Sequence, residues 1–248
     1  MNIPFHEQGY HAHLQLEKGL SPASVEAYKS DVSKLFEYLA LKAYKGGVSQ
    51  IQLGDLQAFI NHLNELGLMP SSQARLISSL KSFFGYLVLE NILQDNPAYL
   101  LATPKQGRYL PTVLHHQEIE ALIAAIDHST PHGTRKRAII EVLYACGLRV
   151  SELTHLRLSQ LYLHIGFIKV LGKGNKERLV PIGETAIQHL NFYLDQRTQM
   201  SNIHPDYEDS VFLNRRGKQL SRVMVFMIIK ELAKAAGLPK NISPHTFS

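Results

Sequence analysis

The sequence predicts a mainly α-helical protein: an N-terminal helical bundle followed by a second, mainly helical domain that carries a small antiparallel β-sheet. Three observations predict this class. Apolar residues recur at spacings of three and four along most of the chain, as in amphipathic helices. A stretch with two prolines and a glycine, residues 103–111, separates two regions of opposite net charge. Two short runs rich in β-forming residues, 165–171 and 177–182, stand among the helices of the second region.

The composition is that of an ordinary globular protein. The 248 residues are 45% apolar and 19% charged, which excludes a disordered chain and suits one large domain or two of about 100–200 residues each. A single cysteine excludes a disulfide framework and a cysteine-rich zinc module. The chain starts without a signal-peptide pattern, and no apolar run is long enough to span a bilayer. We therefore expect a cytoplasmic protein that does not contact membranes.

The net charge of +5 is unevenly distributed along the chain. Residues 1–100 carry a net charge of −2, and residues 101–248 carry +7. An anionic partner is therefore expected at the second region. A solvated basic surface explains the same numbers.

The N-terminal domain, residues 1–102, is predicted to be a bundle of about four helices. Ser21-Pro22 fits an N-cap followed by a first-turn proline, and an apolar stripe then runs from Val25 to Leu39. A shorter helix follows Asp55, a third strong helix opens at Pro70, and a weaker helix covers residues 5–18.

Residues 103–111 form the predicted linker, because proline resists helix on both sides and little in this stretch can be buried. The second domain covers residues 112–248. Its predicted helices lie at about 115–127, 134–146, 149–160, 184–198 and 222–236, and a short extended piece lies at 211–213.

The two β-forming runs predict a hairpin whose turn concentrates positive charge. Gly174-Asn175 suits a type II′ turn, and Lys173 and Lys176 flank it. Lys169 and Arg178 add to the same ribbon. A basic ribbon can bind phosphates in a DNA groove, but lysines also keep exposed edge strands soluble. The residues of this segment leave both interpretations open.

A second candidate site lies where one helix ends at Gly147 and the next begins. Arg149 falls in the first turn of the new helix, where the helix N-terminus and a guanidinium both attract an anion. Glu152, three residues later, lies on the same face and can brace Arg149. The spacing alone favours a plainer interpretation, an exposed Arg–Glu pair of little energetic value.

Four segments, taken in order, resemble the tyrosine recombinases of the Xer group. They are residues 20–28 (Leu-Ser-Pro-Ala-Ser-Val-Glu-Ala-Tyr), 145–153 (Ala-Cys-Gly-Leu-Arg-Val-Ser-Glu-Leu), 172–181 (Gly-Lys-Gly-Asn-Lys-Glu-Arg-Leu-Val-Pro) and 243–245 (Ser-Pro-His). The match covers the whole chain, and the second and third segments together are specific. The resemblance implies a helical core-binding domain and a mainly helical catalytic domain with a small sheet, its C-terminal part missing, clamped around DNA.

The resemblance also implies a chemistry. In this family a tyrosine attacks a phosphodiester, the broken end is held as a 3′-phosphotyrosine, and strands exchange through a Holliday junction, as in chromosome-dimer resolution. Arg149 resembles the first arginine that clamps the scissile phosphate, and Glu152 the acidic residue that supports it. Lys173 resembles the hairpin lysine that protonates the leaving 5′-hydroxyl, and His245 the histidine of a His-x-x-Arg motif.

The partners that the resemblance implies are a double-stranded DNA target, a tetramer on DNA formed with itself or a second recombinase, and a DNA translocase at the division septum. It implies no cofactor, metal or small-molecule ligand. Paired histidines such as His11 and His13 lack the cysteines or carboxylates that would complete a metal site. The cations expected to contact DNA are Lys29, Lys34, Arg75, Lys81, Lys105, Arg108, Lys176 and Arg178. The first four are expected on one face of the N-terminal bundle.

Two departures from the family pattern lead us to expect DNA binding without cleavage. Ser248 occupies the position of the second clamping arginine, and a neutral, short serine cannot form a bidentate pair with phosphate. The family's nucleophilic tyrosine has no counterpart either, because Tyr207, the last tyrosine, lies among three carboxylates that would repel a phosphate. In this family C-terminal helices help to cover the catalytic core, and since they are expected to be missing here, apolar surface around Val223–Ile229 is expected to be exposed.

Two other functions stay open from the sequence. A type IB topoisomerase uses a related arginine–lysine–histidine–tyrosine site, and relaxation of a plasmid by a longer form of the protein would favour it. A non-catalytic DNA-binding or interaction module is the second alternative, and the two departures favour it.

Overall fold

A computed structural model describes residues 3–104, 114–130, 132–172, 176–238 and 242–247, and for residues 3–7 and 245 it describes the backbone alone. The chain divides into two compact units, residues 1–109 and 110–248. Each unit has its own hydrophobic core. The fold class expected from the sequence, mainly α with a small antiparallel sheet, is confirmed. Within the described residues, no helix has the length and apolar character needed to cross a membrane.

The first unit is a helical bundle. Its helices are α1 (Ile3–Ala12), which continues as a π-helical turn (His13–Glu17), α2 (Pro22–Leu41), α3 (Leu53–Glu65) and α4 (Pro70–Leu89). Helix α2 begins where the sequence predicts, because the Ser21 hydroxyl accepts a hydrogen bond from the backbone N–H of Ser24 at 3.3 Å. The apolar stripes of α2 and α4 face each other, and Leu35, Leu80 and Phe83 are fully buried.

The second unit places helices around a small sheet. Its elements are α5 (His116–Ala124), α6 (Gly133–Cys146), α7 (Val150–Thr154), β1 (Leu161–Tyr162), β2 (Phe167–Leu171), β3 (Glu177–Pro181), α8 (Glu184–Thr198), α9 (Arg222–Ala235) and a closing 3₁₀ turn (Pro244–Phe247). The sheet is antiparallel in the order β1-β2-β3. Strand β1 was not expected from the sequence, because two residues are too few to show alternation.

The register of the hairpin fixes which side chains share a face. Val170 pairs with Arg178 and Ile168 with Val180. Ile168 and Val170 are fully buried in the core. Arg178 therefore extends from the same face of the sheet as two core residues, a position that usually carries an apolar side chain.

The helix predicted over residues 149–160 is wrong, because α7 ends at Thr154. The chain beyond it pairs with a distant segment instead. The backbone N–H of Leu158 donates to the carbonyl of Asp209 at 2.7 Å, and that of Val211 donates to Leu156 at 2.9 Å. The apolar residues that suggested a longer helix are thus held by strand-like contacts to 209–211, which helical periodicity cannot reveal.

The apolar surface expected around Val223–Ile229 is exposed in part. Val223, Met224, Phe226 and Met227 of α9 are 40–71% exposed, whereas Val225, Ile228 and Ile229 are buried in the core. The exposed residues thus lie on one face of α9 and the buried residues on the opposite face, as the helical period requires.

Replacing Gly147 with alanine tests the turn between α6 and α7. Gly147 has φ of 57°, and a Cβ there would meet nothing within 4 Å. We expect Gly147→Ala to lower the free energy of unfolding by about 1 kcal/mol, through backbone strain alone. Gly217→Ala is the matched comparison, since its Cβ would lie 1.8 Å from the carbonyl oxygen of Asn202. It should cost about 3 kcal/mol or more. Equal losses in urea unfolding would contradict this account.

Candidate phosphate-binding site

The candidate site starts at the tight turn between α6 and α7. Gly147 ends α6 in the left-handed conformation, and Arg149, with extended backbone, caps α7. The backbone N–H of Arg149 donates to Oε2 of Glu152 at 2.8 Å. The acidic side chain therefore satisfies a free donor of the first helical turn and fixes the position of Arg149.

Glu152 is the centre of the site. Its Oε1 accepts from Nη1 of Arg149 at 2.9 Å and from Nη1 of Arg178 at 2.8 Å. Its Oε2 accepts from the backbone of Arg149 and from Nη2 of Arg178 at 2.9 Å. Each carboxylate oxygen thus has two donors, which fills its lone-pair positions. The Glu152 side chain is only 3% exposed.

The hydrogen bonds set the ionisation of this buried carboxyl. They lower the pKa of Glu152 to about 2, those from Arg178 most strongly and those from Arg149 in addition, while burial acts in the opposite direction. The same pairing raises the pKa of Arg178. Glu152 is therefore a carboxylate at any physiological pH. With two guanidinium groups on one carboxylate, the cluster keeps a net positive charge.

Arg149 lines a cleft of about 860 Å³ in the second unit. Its side chain is 60% exposed, so the guanidinium is held at one edge and open at the other. His155, Arg157 and Gln219 lie along the same cleft, and the sequence did not single them out. Acidic residues of the segment 206–209 line another part of it. The exposed N–H groups of Arg149 can therefore bind an anion that enters the cleft.

The hairpin residues are partly described. Lys169 forms an ion pair of 3.2 Å with Glu177 across β2 and β3. Lys176 is exposed, and its carbonyl accepts from the N–H of Gly172 at 2.8 Å, which closes the base of the hairpin. Lys173 and the predicted turn at 174–175 lie outside the described residues, between these two bonded positions.

Three further predicted site residues have no described side chain. Lys105 and Arg108 lie outside the described residues, as does the side chain of His245. The turn that contains residue 245 packs against α6 and α9, and Phe247 and Ile242 beside it are buried in the core.

Two of the four cations predicted on the N-terminal bundle meet at one buried carboxylate. Asp31 of α2 is 1% exposed and forms ion pairs with Arg75 of α4 and, at 3.5 Å, with Lys34. The hydroxyl of Ser79 also donates to Asp31, at 2.9 Å. The other two cations lie elsewhere on these helices. Helical spacing places Lys29 about 140° around α2 from Lys34, and Lys81 about 120° around α4 from Arg75, so neither lysine shares the face on which Lys34 and Arg75 meet.

No cluster of three or more His, Cys, Asp or Glu side chains suited to a metal ion occurs among the described residues. The buried Cys146 lies 3.6 Å from the carbonyl of Pro181, and burial raises the pKa of its thiol to about 11. This cysteine therefore behaves as a core residue.

Comparison with known proteins assigns the chain to a family. Residues 112–247 match the model of the phage integrase family, and residues 8–91 match the phage integrase N-terminal SAM-like domain. The tyrosine recombinase XerD of Chlorobaculum tepidum is 42% identical over 95% of this chain and 77% of its own length. XerD of Listeria monocytogenes is 39% identical over 94% of this chain and 78% of its own.

A solved structure shares the fold. A lambda integrase dimer bound to a COC′ core site aligns with all of this chain and 87% of its own, at 17% identity and a TM-score of 0.74. The chain belongs to the phage integrase family, as a tyrosine recombinase of the Xer type, and thus to the site-specific DNA recombinases.

Replacing Glu152 with glutamine tests the electrostatic role of the buried carboxylate. A pKa lowered on folding contributes stability above the ordinary value of 4.5, and this contribution is lost as the pH falls toward about 2. We expect Glu152→Gln to destabilise the protein by about 3 kcal/mol at pH 7, and the difference from wild type to shrink toward pH 2. Urea unfolding at several pH values measures it.

The matched control is Glu208→Gln, since Glu208 is exposed in the same unit. It should change the free energy of unfolding by less than about 0.5 kcal/mol. A Glu152→Gln difference that is independent of pH would contradict the prediction.

Proposed function

We propose that Arg149 binds the scissile phosphate of a DNA target, so that residues 1–248 hold DNA for site-specific strand exchange. One observation carries the proposal: in a chain of this family, the guanidinium of Arg149 is fixed by Glu152 and open to the cleft. A planar, permanently charged fork suits the non-bridging oxygens of a phosphate, which gain charge during phosphoryl transfer. The excess of positive charge in residues 101–248 supports the same assignment.

The remaining chemistry follows the family pattern. Lys173 protonates the leaving 5′-hydroxyl from the hairpin, and His245 adds a donor near the phosphate. In a longer form of the protein that carries the nucleophilic tyrosine, the reaction proceeds through a 3′-phosphotyrosine and a Holliday junction, and resolution of chromosome dimers is its biological outcome. The relatives named XerD and the fold relative that is bound to DNA support this assignment. The assembly that we propose on the target site is a tetramer, formed with itself or with a second recombinase.

We further propose that the polypeptide 1–248 binds DNA without cutting it. Among the described residues that line the cleft next to Arg149, the tyrosine is Tyr207. Asp206 and Asp209, on either side of it in the sequence, line the same cleft. The Tyr207 ring packs on His204, with ring centroids 5.7 Å apart. Neighbouring carboxylates repel the phosphate that a nucleophile must approach.

The N-terminal unit adds a second grip on the DNA backbone. Arg75 and Lys34 converge on the buried Asp31, and their side chains are still 44% and 46% exposed. Held in this way, the two cations lose little further conformational entropy on binding phosphate. They offset the net negative charge of this region locally.

DNA binding is expected to depend steeply on salt. We expect the chain to bind a short fluorescein-labelled duplex, with log K falling linearly with log salt concentration. Arg149→Ala should weaken binding about tenfold and reduce the slope by about 1. Fluorescence anisotropy at several salt concentrations measures both quantities.

Arg215→Ala is the control. Arg215 is an exposed arginine of the same unit, and it is not one of the described residues that line the cleft. Its effect should be smaller. Absence of binding, or binding that is insensitive to salt, would contradict the proposed function.

Strand cleavage is expected to be absent. A pool of nicked suicide duplexes of randomised sequence traps any covalent protein–DNA product, which a denaturing gel detects. We expect none from the polypeptide 1–248. A covalent product that disappears in Tyr207→Phe would overturn this expectation and identify Tyr207 as the nucleophile.

A further inference from the structure

Arg178 has a position that a phosphate contact does not explain. It lies on β3 in register with the fully buried Val170, on the core side of the sheet. The Arg178 side chain is 42% exposed, so water solvates part of the guanidinium, and its inner edge faces a carboxylate that is 3% exposed. That carboxylate belongs to Glu152, which Arg178 contacts through both terminal nitrogens, at 2.8 and 2.9 Å.

The backbone around Arg178 is shaped for this contact. A Cβ on Gly172 would lie 3.1 Å from Nη1 of Arg178, closer than side chains normally approach, so glycine leaves room for the guanidinium. Gly172 also closes the hairpin base by its bond to the Lys176 carbonyl. Arg178 therefore joins the base of the hairpin that carries Lys173 to the turn that carries Arg149.

Both arginines donate two hydrogen bonds to the Glu152 carboxylate, but in different ways. Arg178 gives a fork of two bonds, one to each oxygen, whereas the Arg149 side chain gives one bond and its backbone the other. Of the two, Arg149 lines the cleft, and Arg178 is not among the cleft's described lining residues. Without Arg178, Glu152 would lose two of its four donors, and Arg149 would be the only cation left to satisfy the buried carboxylate.

We infer that Arg178 is a positioning residue: it binds Glu152 so that the guanidinium of Arg149 is aimed into the cleft, and it does not itself contact the phosphate. The inference rests on the proposed function, because it assumes that Arg149 binds DNA phosphate. It replaces the sequence-based expectation that Arg178 is one of the DNA-contacting cations.

A double-mutant cycle on DNA binding tests this inference. The variants are Arg149→Ala, Arg178→Gln and the two combined, measured with the labelled duplex over a range of salt. We expect Arg178→Gln to weaken binding by up to about tenfold, and the double variant to be no weaker than Arg149→Ala. The salt slope should fall by about 1 in total. Two independent phosphate contacts would instead lose about 100-fold and a slope of about 2.

Two further variants keep the result interpretable. Lys176→Gln removes an exposed cation of the same hairpin, and its loss should add to that of Arg149→Ala. Arg178→Lys keeps the charge without the fork, so binding should be recovered in part, and thermal unfolding of each variant shows whether it folds.

The outcomes separate the inference from the proposed function. If the unmodified chain does not bind DNA, the proposed function fails and this inference fails with it. If the chain binds and the losses at Arg149 and Arg178 add, Arg178 is a direct phosphate contact and only the inference is overturned.

Discussion

The second unit depends on one buried carboxylate, that of Glu152. Burying a charge is costly unless hydrogen bonds replace the lost water, and here four donors do so. Those donors come from the turn after α6 and from strand β3, which are far apart in sequence. One side chain therefore fixes the helix start, the orientation of Arg149 and the base of the hairpin together. A substitution in this cluster should therefore alter the start of α7, the orientation of Arg149 and the base of the hairpin together.

The first unit uses the same physical device. Asp31, buried in α2, holds Arg75 of the neighbouring α4 and pairs with Lys34, while Ser79 satisfies it further. In both units a buried acid orients an arginine that stays half-exposed. This arrangement suits the recognition of a polyanion, because orientation costs are met by folding instead of by binding. Under the proposed function, it also allows a region of net negative charge to offer cations to DNA.

Much of the fold could be predicted from local sequence. Helices α2 and α4 follow from their caps and apolar stripes, and the hairpin from its two β-forming runs. The short α7 could not be predicted, since the contacts that end it come from residues 209–211. The Arg149–Glu152 pair was expected from its spacing, but its burial was not, because burial depends on the packed fold.

The role of Arg178 was hidden for a similar reason. Its pairing with Glu152 spans 26 residues, and no periodicity links the two. A signal was nevertheless present: once the hairpin is drawn, Arg178 falls opposite Val170, on the side that should be apolar. A charged residue at such a position indicates a buried partner nearby. The register and the charge together therefore predict an acidic partner for Arg178, and only the packed fold identifies it as Glu152.

The most direct test of this account is the titration of the Glu152 carboxyl itself. Carbon-13 NMR of the side-chain carboxyl, assigned with Glu152→Gln, follows its protonation between pH 7 and 2. We expect the signal to stay that of a carboxylate until the pH approaches about 2, because hydrogen bonds from the two arginines hold the pKa of Glu152 at that value. A midpoint near the ordinary value of 4.5 would show that the arginines do not hold this carboxylate, and would contradict the account.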